Sequence, residues 1–236
     1  TRSIDECVAM SRNDYEILTS MLDSRLICGV SSVFSALREQ MEDRVVRRYA
    51  KKLIQWLIER NGKRHQDFGD STFLLQPNLK EGNGGLRDYH TLRWIAGVTH
   101  DVKEIRDLEY QGVMSFQEYQ DLHQALSFIW SVRNHLHLMA RRKCDQLYFE
   151  YQRPVAETLG YREEKGQTAV EGFLGDLHSH MTFIKHQLQL FLYEYGDGRK
   201  RKRWFAGGKA GRVPGITLER GRLNFVSPET IPAQPE

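Results

Sequence analysis

A stripe of large apolar residues in the last third of the helical part of the chain constrains the fold most strongly. Its members recur at alternating steps of four and three residues: Val170, Leu174, Leu177, Met181, Ile184, Leu188, Phe191 and Tyr195. This spacing places all of them on one face of an α-helix, and that face must be covered by other helices. A second stripe predicts another long helix from Ser115 to Arg142. Its members are Tyr119, Leu122, Leu126, Ile129, Arg133, Leu136 and Ala140.

Two arrangements would bury these stripes, a coiled-coil dimer and a helical bundle within one chain. Aromatic side chains such as Phe173 and Phe183, together with shorter amphipathic helices earlier in the chain, favour the bundle. We predict a mainly α fold, a helical bundle with long amphipathic helices. A small C-terminal β-hairpin is predicted over residues 216–226, where apolar and polar residues alternate about Gly221.

The chain divides into three parts by composition. Residues 61–85 contain Asn61-Gly62 and several glycines, and they predict a loop inside the helical region. After Tyr195 come glycines and the basic run Arg199–Arg203, which predict a linker. We therefore expect residues 1–30 to be the tail of a preceding domain, residues 31–196 to form the bundle, and residues 197–236 to form a linker, hairpin and loose tail. Since the chain begins with Thr1 rather than Met, we expect a piece of a longer protein.

Charge and cysteine content exclude some classes of protein. Lys and Arg total 34 against 31 Asp and Glu, a net charge of +3, and removing the five charges of Arg199–Arg203 leaves −2. A nucleic-acid-binding module would spread basic residues over a face, so this composition does not favour one. The three widely spaced cysteines indicate reduced thiols in a cytoplasmic protein. No apolar run approaches the roughly 18 residues of a transmembrane helix.

A glycine-rich stretch before a predicted helix is the first candidate site. It runs from Gln76 to His90 and contains Gly82, Gly84 and Gly85. Glycines allow a close approach of the backbone to a ligand, and free N–H groups at a helix start bind phosphate. We expect Lys80, Gly84, Gly85 and Arg87 to lie near a triphosphate. The stretch matches neither a Walker A nor a G-x-G-x-x-G motif, so glycines that only fit a tight turn remain an alternative.

The second candidate is Arg133, which falls on the apolar stripe of the second long helix. A charge there is costly unless it is paired, and Asp88 is a candidate partner. We expect Asp88 and Arg133 to fix the glycine loop, while an ion pair with no ligand contact remains open for Arg133. The nine histidines supply no convincing metal set, so we predict no metal ligands in this chain.

Several segments in order resemble the bacterial uridylyltransferases that modify the PII nitrogen-signalling protein. The segments that carry the resemblance are Leu22–Gly29, Pro77–Leu92, Trp130–Leu138, Tyr151–Ala156, Leu159–Tyr161 and Ala169–Phe173. The glutamine synthetase adenylyltransferases are similar more distantly, through the glycine-rich block.

The resemblance implies an activity for the whole enzyme. Such an enzyme transfers UMP from UTP to a tyrosine of PII with Mg²⁺, and it joins a nucleotidyltransferase domain, a helical region, an HD domain and ACT domains. This chain matches the helical region. It contains no Gly-Ser dipeptide of the nucleotidyltransferase signature, and Asp14/Glu16 and Asp107/Glu109 have the D-x-E spacing without that context. We therefore expect the carboxylates that bind Mg²⁺ upstream of this chain, the other domains downstream, and no catalytic residue within it.

Other functions remain open from the sequence. The region could be an interaction scaffold that docks PII or couples domains without contacting a nucleotide. It could also belong to a nucleotidyltransferase-like regulator that does not transfer UMP.

Overall fold

The computed structural model of this chain describes residues 2–68, 75–164 and 166–196, and it describes residues 216–219 and 222–225 as backbone. The chain divides into two compact units, Thr1–Gly196 and Asp197–Glu236. The first unit is helical in its described residues, which agrees with the predicted mainly α fold.

The described part of the first unit contains nine α-helices and one π-helical turn. The helices are α1 (Ile4–Asn13), α2 (Tyr15–Leu22), α3 (Ser31–Met41), α4 (Arg47–Phe68), α5 (Leu86–His100), α6 (Arg106–Tyr110), α7 (Phe116–Ala140), α8 (Phe149–Thr158) and α9 (Ala169–Gly196). The π-helical turn (Glu42–Val46) joins α3 to α4 without a break in the helical path.

Side-chain caps set several of the helix starts. Ser3 and Glu6 form a capping box at the start of α1. Ser115 and Glu118 form the same box at the start of α7. Because each box satisfies backbone N–H groups that have no partner within the helix, it fixes the residue at which the helix begins.

Helices α7 and α9 form the centre of the bundle, and α9 also contacts α4, α5 and α8. Both predicted stripes are largely buried, so the bundle is confirmed and helices of the same chain cover the apolar face of α9. The buried apolar residues of these two helices are Leu122, Ala125, Ile129, Val132, Leu136, Phe173, Leu177, Met181, Ile184, Leu188 and Phe191. Arg133 lies beside the buried row of α7 rather than in it.

The predicted helix break at Asn61-Gly62 is wrong, because α4 continues to Phe68. Leu53, Leu57, Asn61 and Arg64 are its buried residues, and they lie on one face at steps of four, four and three. Asn61 accepts a hydrogen bond from Arg64, so its burial leaves no unpaired side-chain acceptor. Burial of this face therefore outweighs the helix-breaking tendency of the Asn-Gly pair.

Two strands are present after the helical unit, β1 (Ile216–Glu219) and β2 (Arg222–Phe225). They pair antiparallel with Ile216 opposite Phe225. The residues between and around the strands, including the basic run, lie outside the described residues, so the predicted hairpin as a whole stays a prediction. Within the described part of the chain, no helix is long and apolar enough to span a membrane.

Candidate functional site

The glycine-rich stretch forms a tight loop before α5, organised by Asn78. The Asn78 side-chain oxygen accepts hydrogen bonds from the backbone N–H groups of Lys80 at 3.1 Å and Glu81 at 2.8 Å. Its carbonyl oxygen accepts from the N–H of Gly82 at 3.0 Å. These bonds turn the chain within four residues and fix the backbone from which the Lys80 and Glu81 side chains extend.

Gly84 brings the loop backbone against the backbone of α9. Its φ is +76°, and a Cβ atom built there would lie 1.9 Å from the carbonyl oxygen of Met181. A Cβ on Gly85 would lie 2.9 Å from backbone oxygens of the loop itself. Both positions thus require glycine for packing, as the tight-turn alternative predicts, and neither glycine faces open space for a ligand.

The expectation of free N–H groups at the start of α5 is wrong. The N–H groups of Leu86 and Arg87 donate to the carbonyl oxygens of Leu79 at 3.0 Å and Lys80 at 2.9 Å. The N–H of Gly84 donates to the Asp88 carboxylate at 2.6 Å. Since the loop folds back over the helix start, its own oxygens occupy the donors that a phosphate would need.

Asp88 is fully buried and joins α5 to the end of α4. Its carboxylate pairs with the Arg64 guanidinium and lies 2.9 Å from His65 Nε2. Burial by itself would raise the pKa of Asp88, but the hydrogen bond from His65 and the charge of Arg64 outweigh it and hold the pKa below its usual value. Because the same carboxylate accepts from Gly84, this ion pair also holds the glycine loop.

Arg64 and His65 were not predicted from the sequence. The expected break at residues 61–62 placed both of them in a loop. The apolar stripe of α4 could have indicated Arg64, because it falls three residues after Asn61 on the buried face. No sequence signal connects His65 to an aspartate 23 residues later.

Arg133 is paired, but its partner is Asp145 rather than the predicted Asp88. Arg133 Nε lies 2.7 Å from Asp145 Oδ1, and His137 Nε2 lies 3.2 Å from the same oxygen. Burial would raise the pKa of Asp145, yet the hydrogen bonds from Arg133 and His137 lower it overall. The partner differs from the prediction because the connection between α7 and α8 brings Asp145 back beside α7.

That connection is hydrogen-bonded to the glycine loop. The N–H of Leu79 donates to the carbonyl oxygen of Asp145 at 2.8 Å, and the N–H of Leu147 donates to Pro77 at 3.0 Å. One backbone hydrogen bond, from Leu79 to Asp145, therefore connects the Arg133–Asp145 pair to the loop that carries Lys80.

Lys80 and Arg87 converge on one carboxylate. Lys80 Nζ lies 3.3 Å and Arg87 Nη2 lies 3.5 Å from the same oxygen, Glu81 Oε1. All three side chains are partly exposed, so the loop presents two cations and one anion at the surface of the first unit. The structure thus brings together two of the four residues that the sequence placed near a triphosphate, while Gly84 and Gly85 pack against backbone.

Arg87 and Glu81 also line a cleft of about 510 Å³ between α2, α4 and α5. A cleft of this size is in the range that holds a small-molecule ligand. Its walls combine charged side chains with aromatic rings: Glu16, Thr19, Ser20, Trp56, Leu57, Arg60, Asn61, Lys63, Arg64, Asp67, Phe68, Glu81, Arg87, Thr91 and Trp94.

The D-x-E pairs do not form a metal site. Asp14 caps α2 through Glu16 N–H and Ile17 N–H, and Glu16 pairs with Arg60 at 2.7 Å. Asp107 likewise accepts backbone N–H bonds. Within the described residues no group of three or more histidine, cysteine, aspartate or glutamate side chains is placed to hold a metal ion. In both D-x-E pairs, carboxylate oxygens are thus already engaged by backbone N–H groups or by an arginine.

Comparison with known proteins supports the resemblance. A family model described as GlnD PII-uridylyltransferase matches residues 52–192 of this chain. The chain belongs to the GlnD PII-uridylyltransferase family. This confirms the resemblance seen in the sequence.

Curated members of the GlnD family match over most or all of the chain. A bifunctional uridylyltransferase/uridylyl-removing enzyme from Novosphingobium aromaticivorans is 33% identical over 100% of this chain and 26% of its own length. One from Ruegeria pomeroyi is 31% identical over 98% of this chain and 26% of its own length. One from Rhodopseudomonas palustris is 36% identical over 74% of this chain and 19% of its own length. The chain thus spans about a quarter of the length of its first two relatives, and no solved structure matches it.

Proposed function

We propose that this chain is the helical, substrate-side part of an enzyme that transfers UMP from UTP to the PII protein. Membership of the GlnD PII-uridylyltransferase family supports the reaction and the partner. In this proposal the carboxylates that hold Mg²⁺ come from outside this chain, and its helices form one wall of the nucleotide cleft.

One observation carries the proposed site, the convergence of Lys80 and Arg87 on Glu81, which together with Arg87 lines the cleft. Their charged groups lie 3.3 and 3.5 Å from one Glu81 oxygen. Two cations held this close can bind the oxygens of a polyphosphate, since charge-assisted hydrogen bonds to phosphate are among the strongest in proteins. We assign Lys80 and Arg87 to the triphosphate.

Asp88 and Arg133 position these cations without contacting the nucleotide. Asp88 holds Gly84 and thereby the loop, from a site with no solvent exposure. Arg133 holds Asp145, whose carbonyl oxygen binds the N–H of Leu79 directly before Lys80. Substitution of either residue should therefore weaken nucleotide binding by displacing Lys80 or Arg87.

The test is UTP binding and uridylyl transfer after Lys80→Ala and Arg87→Ala. UTP binding is measured by calorimetry on this chain, and transfer to PII is measured on the gene product that contains it. We expect each substitution to weaken UTP binding about 5- to 20-fold, which corresponds to about 1–1.8 kcal/mol. This is near the lower end of the range for hydrogen bonds to charged groups, because both cations are partly exposed.

Arg153→Ala is the control for the loss of a positive charge. Arg153 is 80% exposed on α8 and pairs with Glu157 at 2.8 Å, and it is not among the residues that line the cleft. The Arg153→Ala variant should bind UTP with the same affinity as the unaltered chain. Folded Lys80 and Arg87 variants that bind and turn over UTP normally would contradict the placement of the triphosphate.

An interaction scaffold is the second candidate function. Large apolar side chains are exposed between α2 and α3, with Ile27 at 84% and Val30 at 67% exposure. Such a surface favours protein contact. Calorimetry with PII and with UTP separates the two functions, because heat with PII alone would favour the scaffold.

A further inference from the structure

We propose that the Glu81 carboxylate occupies the place of a phosphate group between Lys80 and Arg87, and that an incoming polyphosphate displaces it. This inference rests on the proposed function, in which these two cations bind the triphosphate. In addition, the Glu81 carboxylate competes with phosphate for these two cations and thereby sets the affinity of the site for phosphate.

The contact geometry of Glu81 is that of a weak, shared acceptor. A single oxygen lies 3.3 Å from Lys80 Nζ and 3.5 Å from Arg87 Nη2. Strong charge-assisted N–H···O bonds have lengths of about 2.7–2.9 Å, so neither cation has an optimal partner. Within the described residues no other carboxylate lies within salt-bridge distance of either cation.

Two arginines that hold the loop in place, Arg64 and Arg133, have much closer carboxylate partners. Arg64 pairs with fully buried Asp88, and Arg133 Nε lies 2.7 Å from Asp145. Breaking such a pair leaves an uncompensated charge in a poorly solvated place, which is costly. Compared with Arg64 and Arg133, Lys80 and Arg87 can therefore exchange their carboxylate partner for another anion at a low cost in free energy.

The backbone of Glu81 is fixed, but its side chain is not. Its N–H donates to the Asn78 side chain at 2.8 Å, and its carbonyl oxygen accepts from Arg64 Nη1 at 2.8 Å. In the part of the chain that the structure describes, its carboxylate contacts only the two cations, and the side chain is 24% exposed. It can thus rotate towards solvent while the loop keeps its conformation.

A phosphate group is the better ligand for this pair of cations. It offers several oxygens, so each cation can have its own acceptor at optimal distance instead of sharing one. A polyphosphate also carries more negative charge than one carboxylate, which strengthens its attraction to both cations. In the absence of a polyphosphate, Glu81 keeps the two cations together. When a polyphosphate binds, it replaces the Glu81 carboxylate.

The test is calorimetric binding of inorganic triphosphate to the complete chain and to its Glu81→Gln variant. Gln has the shape of Glu without the charge, so the variant removes the competitor and retains the loop. We expect Glu81→Gln to bind triphosphate about five-fold more tightly, the effect that a partly exposed ion pair supports. Glu81→Met is a second uncharged variant of similar length and should give the same gain.

Glu157→Gln is the matched control, because Glu157 also pairs with an arginine but lies on α8. An equal gain in this control would reduce the effect to net charge and overturn the proposal. If the unaltered chain binds triphosphate and Glu81→Gln binds it no better, the competitor role is wrong and the proposed function stands. If neither binds triphosphate, the assignment of Lys80 and Arg87 to the triphosphate is wrong, and the inference about Glu81 is wrong with it.

Discussion

Gly84 lies where the backbone of the loop meets the backbone of α9. The sequence presents it as one of three glycines before a helix, a pattern shared by phosphate-binding loops and tight turns. The structure distinguishes the two. The Met181 backbone fills the space beside Gly84, and the N–H group of Gly84 donates a hydrogen bond to the Asp88 carboxylate. The phosphate site that we propose for this loop therefore depends on side chains and not on backbone N–H groups.

Substitution of Gly84 should destabilise the protein strongly. In Gly84→Ala the new methyl group meets the Met181 carbonyl oxygen and the backbone has a left-handed φ, so we expect a loss of about 3 kcal/mol or more of unfolding free energy. Urea denaturation followed by circular dichroism measures the loss. Gly62→Ala is the control, since it has open space within α4 and should stabilise the helix by about 1 kcal/mol. Similar unfolding midpoints for the two variants would contradict the close approach.

At the scale of elements, the contact between α4 and α5 depends on an ion pair across 24 residues of sequence. Arg64 from the last turns of α4 meets Asp88 from the first turn of α5. The carboxylate has no solvent exposure, and its lowered pKa keeps it ionised through the neutral range. The pair thus holds the last turns of α4 against the first turn of α5.

Removing one partner of this pair should cost more than removing both. Asp88→Asn leaves the Arg64 guanidinium uncompensated, and we expect a loss of about 3–5 kcal/mol in urea denaturation. Adding Arg64→Met should recover part of this loss, because the unpaired charge is then gone. Asp5→Asn breaks an exposed pair with Arg44 and should cost less than about 1 kcal/mol. A double variant no more stable than Asp88→Asn would contradict the assignment.

The sequence predicts the long helices well and the pairing of their polar residues poorly. Periodicity identifies α7 and α9, because every apolar residue on one face contributes to the same signal. It does not identify the partner of Arg133, because Asp145 is brought there by a connection whose path depends on the packed bundle. The break predicted at Asn61-Gly62 fails for the same reason, since tertiary burial of α4 outweighs a local tendency.

The same limit applies to the candidate site. Lys80 and Arg87 could be selected from the sequence because they flank glycines before a helix. Their convergence on Glu81 could not, because it follows from the fold-back of the loop over α5. Which function they serve stays a prediction until nucleotide binding is measured.

At the scale of the whole molecule, folding partly buries two histidines, His90 and His180, and disfavours their charged forms. Burial lowers the pKa of His90 from 6.5 to about 4, and the charge of Asp23 only partly opposes this shift. Burial also lowers the pKa of His180 on α9, which packs against Phe128. Protons therefore bind the unfolded chain more readily than the folded one in the weakly acidic range.

The folded protein should lose stability as the pH falls from about 6.5 towards 4. Above 6.5 both states hold His90 neutral, so its contribution to stability is complete there; below that pH the unfolded state is increasingly protonated. The total loss from His90 is on the order of 3 kcal/mol. Asp88 and Asp145 have lowered pKa values, so they add their loss only in stronger acid.

Urea denaturation between pH 7 and 4 measures this dependence. His90→Gln cannot take up a proton, so its stability should fall less over the same range. Equal slopes for the variant and the unaltered chain would contradict the burial of a neutral His90.

Two backbone hydrogen bonds between the glycine loop and the α7–α8 connection have a consequence for the order of folding. They join Leu79 to Asp145 and Pro77 to Leu147, segments separated by more than sixty positions along the chain. Contacts between such distant segments form late, since a large loop must close first. We therefore expect Lys80 to reach its final place only after α7 and the chain that follows it have packed against the loop, so that this corner of the molecule is completed late in folding.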